Sequence, residues 1–339
     1  MKAATRPRAE PGTERLLHVD PKGNRISHHV VGDLAVLLRA GDLLVVNDAA
    51  TLPASFFVSG EPLEVRLVRR GKTDSEWTAI VLGAGDFRTP TEQRALPRAL
   101  RAGERLDFGD TLAATVVAVD PEVPALIEIR FQLQGAALLS ALYRRGRPVL
   151  YAYLDREHAL WDFQNRFAAR PWALELPSAG HCLTWDILLR LRAGGIAIAH
   201  LTHAADISST GSPALDRRLP FPERYQISAA TCEAIARARD AGGRIVAVGT
   251  TVVRALEACH AEHGLLRAGE GEARLVIGPG FRPRVAAGIL SGLHEPKTSH
   301  YALLESFAER DLLGLAFEAA ERAEYLQHEF GDTMLILAS

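Results

Sequence analysis

Short apolar runs alternate with amphipathic segments near both ends of the chain. The runs predict strands over 16–20, 25–31, 43–46, 196–201, 244–248, 273–277, 286–293 and 333–337. The amphipathic segments predict helices over 185–192, 228–240, 299–309 and 311–329, and one or two helical turns over 33–38. Because strand and helix alternate at this length, the pattern favours a largely parallel sheet with helices around it.

The pattern changes over residues 56–134, where short β runs are separated by turns. The runs cover 63–68, 77–82, 105–108, 111–119 and 125–133, and no segment of ordinary helix length lies between them. This spacing predicts a small antiparallel sheet or barrel. A helix over 135–145 is expected to follow it.

Composition narrows the class of protein. A chain of 339 residues with 47% apolar content is long enough for about two domains of roughly 150 residues each. No stretch reaches the roughly 18 uninterrupted apolar residues of a membrane helix, and the first residues lack the apolar core of a signal peptide. The three cysteines, Cys182, Cys232 and Cys259, match neither a disulfide framework nor a zinc site. We therefore expect a cytoplasmic protein with no membrane association and no bound metal.

Charge gives a further constraint. The net charge of −2 carries no global signature of nucleic-acid binding, so any contact with RNA must use a local basic surface. Arg144, Arg145 and Arg147 form a basic turn after the helix over 135–145. This turn suits either contacts with RNA phosphates or a favourable interaction with the helix C-terminus.

The most distinctive segment is a predicted strand, a tight turn and a helix around Gly249. Gly249 permits a sharp turn after the strand, and Thr250 or Thr251 can cap the helix that follows. Arg254 lies one turn further on and Glu257 three residues later, so these polar side chains should share one face. The pattern indicates either a polar ligand site at a helix start or an ordinary capped helix with a surface ion pair.

This segment, Gly-Thr-Thr-Val-Val-Arg-Ala-Leu-Glu, resembles the GTT-x-VR-x-LE signature of S-adenosylmethionine:tRNA ribosyltransferase-isomerases, the enzymes of queuosine biosynthesis. Further stretches resemble other elements of that family in the same order, at 15–17, 41–48, 279–280, 293–299 and 331–336. Together they span nearly the whole chain. The resemblance implies an α/β main domain, residues 1–55 and 149–339, with an inserted all-β, barrel-like domain over 56–148.

The resemblance also implies a reaction. The ribosyl moiety of S-adenosylmethionine would be transferred to 7-aminomethyl-7-deazaguanine in the tRNA anticodon loop and isomerised. The products would be epoxyqueuosine, adenine and methionine. A base must remove a proton beside the sulfonium, and adenine must be hydrogen-bonded or protonated as it leaves. S-adenosylmethionine would be a substrate, no cofactor would be needed, and the protein is expected to be a monomer.

Roles for individual residues follow from the same resemblance. The catalytic candidates are His294, Lys297, His181 and His203. The candidates for substrate binding are Asn47, Asp48, Ser178, Gly180, Thr184, Glu223, Gly249, Thr250, Thr251, Arg254, Glu257, Pro279, Gly280 and Asp332. From the residues alone, the Asn-Asp pair after the strand over 43–46 suits an Asx turn as well as ligand binding.

Lys297 has a further argument from composition. The chain contains four lysines against 35 arginines, and Lys297 is the sole lysine of its last three quarters. An ammonium differs from a guanidinium in that burial can lower its pKa far enough for proton transfer. A surface lysine near a helix start is the alternative.

Three stretches depart from the family pattern. Cys182 stands where the family has histidine, with His181 one residue earlier, and Phe221 replaces another histidine. After His203, the run Ala-Ala-Asp-Ile-Ser-Ser-Thr-Gly replaces the family's V-G-L-G-T-F. Its polar members, which suit either ribose or phosphate oxygens or a capped loop, are Asp206, Ser208, Ser209 and Thr210.

These departures lie in segments that would face the acceptor. Two alternatives to tRNA modification therefore stay open. One is a paralogue that cleaves S-adenosylmethionine but uses a small-molecule acceptor. The other is a catalytically silent protein that binds a nucleoside or RNA.

Overall fold

The computed structural model describes residues 1–207, 209–217, 219, 221–296 and 298–339. The strands are β1 (Lys2–Ala3), β2 (Arg15–Asp20), β3 (Arg25–Val30), β4 (Leu43–Asn47), β5 (Ala49–Thr51), β6 (Ser55–Phe57), β7 (Glu64–Arg70), β8 (Glu76–Leu82), β9 (Arg105–Asp107), β10 (Ala113–Val119), β11 (Leu126–Phe131), β12 (Arg170–Ala173), β13 (Ala197–His203), β14 (Glu223–Ile227), β15 (Ile245–Val248), β16 (Gly269–Ala273), β17 (Gly288–Gly292), β18 (Leu326–Gln327) and β19 (Thr333–Leu337). The helices are α1 (Leu34–Leu37), α2 (Gly135–Arg145), α3 (Trp185–Ala193), α4 (Pro213–Asp216), α5 (Ala229–Asp240), α6 (Thr250–His263), α7 (Ser299–Leu304) and α8 (Arg310–Arg322). Within these described ranges, no helix is both long enough and apolar enough to cross a membrane.

The main sheet has nine strands in the order β16-β14-β13-β4-β15-β17-β19-β2-β3. Its four central strands, β13, β4, β15 and β17, run parallel to one another. The pairs β13–β14, β14–β16, β17–β19 and β2–β3 are antiparallel. The prediction of a largely parallel sheet is confirmed for the centre. The flanks are mixed, because these antiparallel pairings add strands on both sides while β19 and β2 pair in parallel.

Alternation along the central strands divides the core into two layers. Leu43 and Val45 of β4 belong to the cluster that contains the buried faces of α5, α6 and α8. Leu44 and Val46 belong to the cluster that contains α1 and α3. Because successive side chains of a strand point to opposite faces, the sheet lies between two helical layers.

The middle of the chain forms a second sheet of six antiparallel strands, in the order β6-β7-β8-β11-β10-β9. It curls so that its edges approach, and the Ser59 N–H donates to the Asp107 carbonyl at 2.7 Å. Phe56, Phe108 and Phe131 pack together inside the curl, and α2 completes the same cluster. The predicted antiparallel sheet beside an α/β body is confirmed, whereas the domain boundaries stay a prediction.

One predicted strand is misplaced. The strand expected over 273–277 is β16, which begins four residues earlier at Gly269 and ends at Ala273. Its Gly-Glu-Gly-Glu-Ala sequence lacks apolar alternation, and it becomes a strand by pairing with β14. A side chain at Gly271 would collide with the Tyr225 hydroxyl, so this close pairing requires glycine. β14 itself was not predicted.

Two predicted helices are shorter than expected. The helix expected over 299–309 ends at Leu304. The helix expected over 311–329 ends at Arg322, because Glu324 adopts a positive φ of 55° and the chain turns into β18. Tertiary pairing of β18 with β1 replaces the last two expected turns.

Candidate active site

The carboxyl ends of the four central strands meet at one edge of the main sheet. β4 pairs in parallel with β13 and β15, and β15 pairs in parallel with β17. Asn47 ends β4, His203 ends β13, Gly249 follows β15, and His294 lies two residues after β17. The structure therefore brings these four predicted site residues to one edge, which is where ligands bind in open α/β sheets.

Asn47 joins three of the converging segments. Its amide nitrogen donates to the His203 carbonyl at 2.9 Å and to the Thr251 hydroxyl at 3.3 Å. Its amide oxygen accepts from the backbone N–H groups of His203 and Ala49, both at 3.0 Å. The contact with Ala49 is the Asx turn considered from sequence, so Asn47 shapes the edge and also fixes its neighbours.

The start of α6 differs from the expectation of a threonine cap. The N-cap is Gly249, with φ of 99° and without a capping side-chain hydrogen bond. Its N–H donates to the Leu290 carbonyl at 2.8 Å, and an added Cβ would lie 3.4 Å from that of Ala179. The threonine-cap prediction is wrong because the turn needs a left-handed residue at the cap itself. Thr250 and Thr251 instead belong to the first helical turn, whose N–H groups lack partners within the helix.

Arg254 lies in a buried cluster with Glu223 and His203. Its guanidinium donates to the Glu223 carboxylate and to the carbonyls of Phe221 at 3.2 Å and Ala273 at 2.9 Å. His203 faces the same carboxylate, and its Nε2 lies 3.5 Å from Glu223 Oε2, the oxygen that also accepts from Arg254. Burial lowers the pKa of Arg254 to about 10, which leaves it cationic at neutral pH.

His203 is fully enclosed beside the ion pair of Arg254 and Glu223. Among the described residues, neither of its ring nitrogens has a hydrogen-bond partner. Burial, assisted by the charge of Arg254, lowers the pKa of His203 well below its ordinary value. The imidazole is therefore neutral at neutral pH, with a nitrogen free to accept a proton.

Glu257 points away from this cluster. Its buried carboxylate accepts three backbone N–H bonds, from Arg284 at 2.8 Å, Val285 at 2.9 Å and Ala286 at 3.0 Å. The prediction that Arg254 and Glu257 share one face of the helix is therefore wrong. Arg254 binds the β14 side, whereas Glu257 holds the segment that leads into β17.

Cys182 and His181 follow the short 3-10 helix Ser178–Gly180, which packs beneath the α6 start. Cys182, at the position of the family's histidine, is buried in the core, and burial raises the pKa of its thiol. His181 packs edge-on to Phe330 at 5.7 Å between ring centroids, and burial lowers its pKa to about 4. Thr184 caps α3 by accepting from the Ile187 N–H at 3.3 Å.

His294 lies in a cluster of aromatic rings after β17. Its Nε2 lies 2.8 Å from the Ser291 hydroxyl, and its ring stacks on His300 with centroids 4.8 Å apart. Burial is the main cause that lowers the pKa of His294 well below its ordinary value. Lys297, the other candidate of this segment, lies outside the described residues, as does Ser208.

The remaining candidates are held by internal contacts or lie at the surface. Asp48 accepts from the Thr202 hydroxyl at 2.5 Å. Asp332 is buried and accepts from the backbone N–H of Arg15 at 2.8 Å and from its guanidinium at 2.9 Å, so it anchors β2 beside β19. Pro279 and Gly280 form an exposed turn.

A cleft of about 880 Å³ separates the curled sheet from the main body. Trp77 of β8 lines one side, and Trp172 and Arg224 line the other, with the Arg224 guanidinium 4.6 Å above the Trp172 ring. Its cationic lining residues are Arg69, Arg70, Lys72, Arg224 and Arg274, and its acidic ones are Asp74, Glu76, Glu128, Asp206 and Glu272. The sequence analysis did not identify Trp77 and Trp172 as site residues. They lie far apart along the chain, so no local motif could assign both to one cleft.

Asp206 connects this cleft to the buried cluster. Its backbone N–H donates to Glu223 Oε1 at 3.0 Å, and its side chain lines the cleft. Among the described residues, its Oδ2 atom is enclosed without a hydrogen-bond partner. Burial raises the pKa of Asp206, whereas the charges of Arg69 and Arg254 act in the opposite direction.

The basic turn after α2 is largely engaged within the protein. Arg145 donates to the Phe108 carbonyl at 2.9 Å, and Arg147 pairs with Glu157 at 3.0 Å. Arg144 donates to the Ser140 hydroxyl at 2.8 Å. Contacts between this turn and RNA stay a prediction.

The fold and the strand-edge cluster define an α/β protein whose candidate site lies at the carboxyl ends of its central parallel strands. The sequence model of the family described as queuosine biosynthesis protein matches residues 1–336. The chain therefore belongs to this family, and the family membership predicted from the motifs is confirmed.

Similar proteins extend over nearly the same length. The chain is 34% identical to the S-adenosylmethionine:tRNA ribosyltransferase-isomerase of Pelobacter propionicus, covering 97% of this chain and 94% of that protein. It is 36% identical to the enzyme of that name from Gloeobacter violaceus, over 97% and 91% of the two chains. The crystal structure of S-adenosylmethionine tRNA ribosyltransferase from Thermotoga maritima matches with a TM-score of 0.55 at 24% identity, covering 99% of this chain and 96% of that one. That likeness shows a common fold.

Proposed function

We propose that this protein transfers the ribosyl moiety of S-adenosylmethionine to 7-aminomethyl-7-deazaguanine in tRNA and isomerises it. The products are epoxyqueuosine, adenine and methionine. The observation that carries the proposal is the match, over 97% of the chain, to relatives that are named for this reaction. The strand-edge site supports it with residues suited to proton transfer and to binding a charged substrate.

The first step needs a base beside the sulfonium. Two neutral imidazoles, His203 and His294, lie at the strand edge, and both have a pKa lowered mainly by burial. A neutral imidazole accepts a proton directly, whereas a charged one would first have to lose one. Both residues are therefore candidates for the base and for the group that assists the departure of adenine.

The methionine carboxylate needs a cationic or helix-terminal anchor. Glu223 already compensates the charge of Arg254, so the first turn of α6, at Thr250 and Thr251, is the better anchor. The N–H groups of a first helical turn lack partners within the helix, and together with the positive end of the helix dipole they favour a carboxylate. Arg254 then acts by holding Glu223 beside His203.

The acceptor enters through the cleft between the curled sheet and the main body. Trp77 and Trp172 offer stacking surfaces there, and Arg70, Lys72 and Arg224 suit phosphates of the tRNA anticodon loop. We further propose that the protein acts as a monomer in the cytoplasm and uses S-adenosylmethionine as substrate without an additional cofactor.

The test is chromatography of S-adenosylmethionine after incubation with the protein, with and without tRNA that carries 7-aminomethyl-7-deazaguanine. We expect adenine to appear only with this tRNA, in amounts equal to the modified tRNA. Adenine release that is independent of tRNA would support the small-molecule acceptor. Absence of adenine under all conditions, with tRNA binding retained, would support the silent protein.

Lys297 is tested in the same assay by a substitution that preserves charge. Because arginine keeps a guanidinium that stays protonated, Lys297→Arg should lose most adenine release if the ammonium takes part in proton transfer. Lys22→Arg, in an exposed turn outside the cleft lining, is the matched control for a general effect of losing a lysine. Near-normal release by Lys297→Arg would exclude a proton-transfer role.

A further inference from the structure

Asp206 combines three features that set it apart from the other polar residues of the cleft. It lines the cleft, its Oδ2 atom is enclosed without a hydrogen-bond partner among the described residues, and its backbone is fixed to Glu223. Buried oxygens of this kind are unfavourable unless a partner arrives. Asp206 also lies in the run that departs from the family pattern.

The surroundings of Asp206 limit the chemistry of that partner. Trp172 presents an aromatic face in the same cleft, with Arg224 over its ring, and Pro171 and Leu174 add apolar lining. A phosphate would be repelled by a carboxylate. A flat heterocycle with N–H groups along one edge would stack on the aromatic surface and donate hydrogen bonds to the carboxylate.

We propose that Asp206 is a specificity-determining residue that reads the N–H edge of the acceptor base, with Trp172 as its stacking surface. The carboxylate accepts from the ring imino N–H and the exocyclic amine that a guanine-type base presents side by side. This inference rests on the proposed function, since it assigns the acceptor of that reaction to the cleft. Burial raises the pKa of Asp206 and the charges of Arg69 and Arg254 oppose that shift, so the N–H donors of a bound base would add to the groups that stabilise the ionised carboxylate.

The test uses anticodon stem–loop RNAs that differ by one amino group, with guanosine or inosine at the acceptor position. Dissociation constants are measured by fluorescence anisotropy for the wild type, Asp206→Ala and Asp206→Asn. The wild type should bind the guanosine RNA about tenfold more tightly than the inosine RNA. Asp206→Ala should lose about tenfold to a hundredfold for the guanosine RNA and bind both RNAs alike.

Control measurements separate recognition from folding. Asp240→Ala removes an exposed carboxylate at the end of α5, outside the cleft lining, and should retain the wild-type discrimination. Asp206→Asn keeps the side-chain shape and one acceptor oxygen, so it should fold normally and show an intermediate loss. The thermal unfolding midpoint and the affinity for S-adenosylmethionine are measured for every variant and should be unchanged.

Three outcomes would overturn the inference. Undiminished discrimination in Asp206→Ala, or an equal loss for both RNAs, would show that Asp206 does not read the base edge. Weaker binding of S-adenosylmethionine would place the adenine of that substrate at Asp206 instead. The proposed function is tested separately, by adenine release from the wild type with modified tRNA. The RNA-binding test does not depend on turnover, so failure of the proposed function and failure of this inference can be distinguished.

Discussion

Arg254 and Glu223 form a buried ion pair whose partners come from α6 and β14. Both side chains are about nine-tenths buried, so most of the hydration of their charges is lost. In such a pair, mutual attraction mainly offsets the desolvation of both groups. Loss of one partner is therefore far more harmful than loss of both.

The ion pair gives a prediction at the residue scale. Arg254→Gln should lower the free energy of unfolding by about 3–5 kcal/mol, because Glu223 is left without its counter-ion. The double variant Arg254→Gln, Glu223→Gln should recover part of that loss. Urea denaturation of the single and double variants measures the coupling between the residues.

A matched control is available on α5. Arg237 pairs with Glu233 at 3.5 Å, and both side chains are about 70% exposed, so Arg237→Gln should have little effect. If Arg254→Gln is as stable as the wild type but binds S-adenosylmethionine poorly, Arg254 is a ligand anchor, as its sequence motif suggested.

At the scale of elements, Glu257 connects α6 to the segment before β17. One carboxylate accepts three backbone N–H groups that belong to no strand ladder. Buried N–H groups need partners, and this arrangement supplies them where the chain enters the central sheet. The position of Gly288, the first residue of β17, thus depends on a side chain of the neighbouring helix.

The corresponding prediction is a loss of stability rather than of affinity. Glu257→Gln replaces one acceptor oxygen by an amide NH2 group that faces backbone donors, and should lower the free energy of unfolding by about 1–3 kcal/mol. Urea denaturation measures the loss. Glu262→Gln, at an exposed position of α6, is the control. Unchanged stability together with weaker S-adenosylmethionine binding would contradict this structural role and show that Glu257 binds the substrate.

At the scale of the whole molecule, the sheet edge gathers histidines from distant segments into partly buried positions. Burial lowers the pKa of both His181 and His300 to about 4, against an ordinary value of 6.5. Below about pH 6.5 the unfolded chain therefore binds protons that the folded protein does not. Stability should be full above that pH and fall as the pH decreases towards about 4.

His300→Phe tests this pH dependence. Phenylalanine preserves the stack on His294 but cannot bind a proton, so the variant should lose less stability than the wild type between about pH 7 and about pH 5. Urea denaturation at both pH values measures the difference. His263→Phe, at an exposed position of α6, should retain the wild-type slope. An unchanged slope in His300→Phe would show that this ring does not contribute.

The sequence by itself determined the elements whose signals are local. The helices predicted to begin at 185 and 228 start close to those positions, where Thr184 and Ser228 cap α3 and α5, since a cap acts within three residues. The alternating runs between 63 and 133 formed the expected antiparallel strands, because apolar alternation specifies a strand face. The ordered motifs likewise fixed the family.

Only the tertiary structure decided what the polar side chains of those motifs contact. β16 is a strand because β14 pairs with it. Arg254 and Glu257 point in different directions, because Arg254 binds Glu223 of β14 and Glu257 binds the backbone of the segment before β17. The enclosed oxygen of Asp206 arises where the curled sheet faces the main body. Local periodicity carries no information on these partners, since they lie far apart along the chain and meet only when the two sheets have formed.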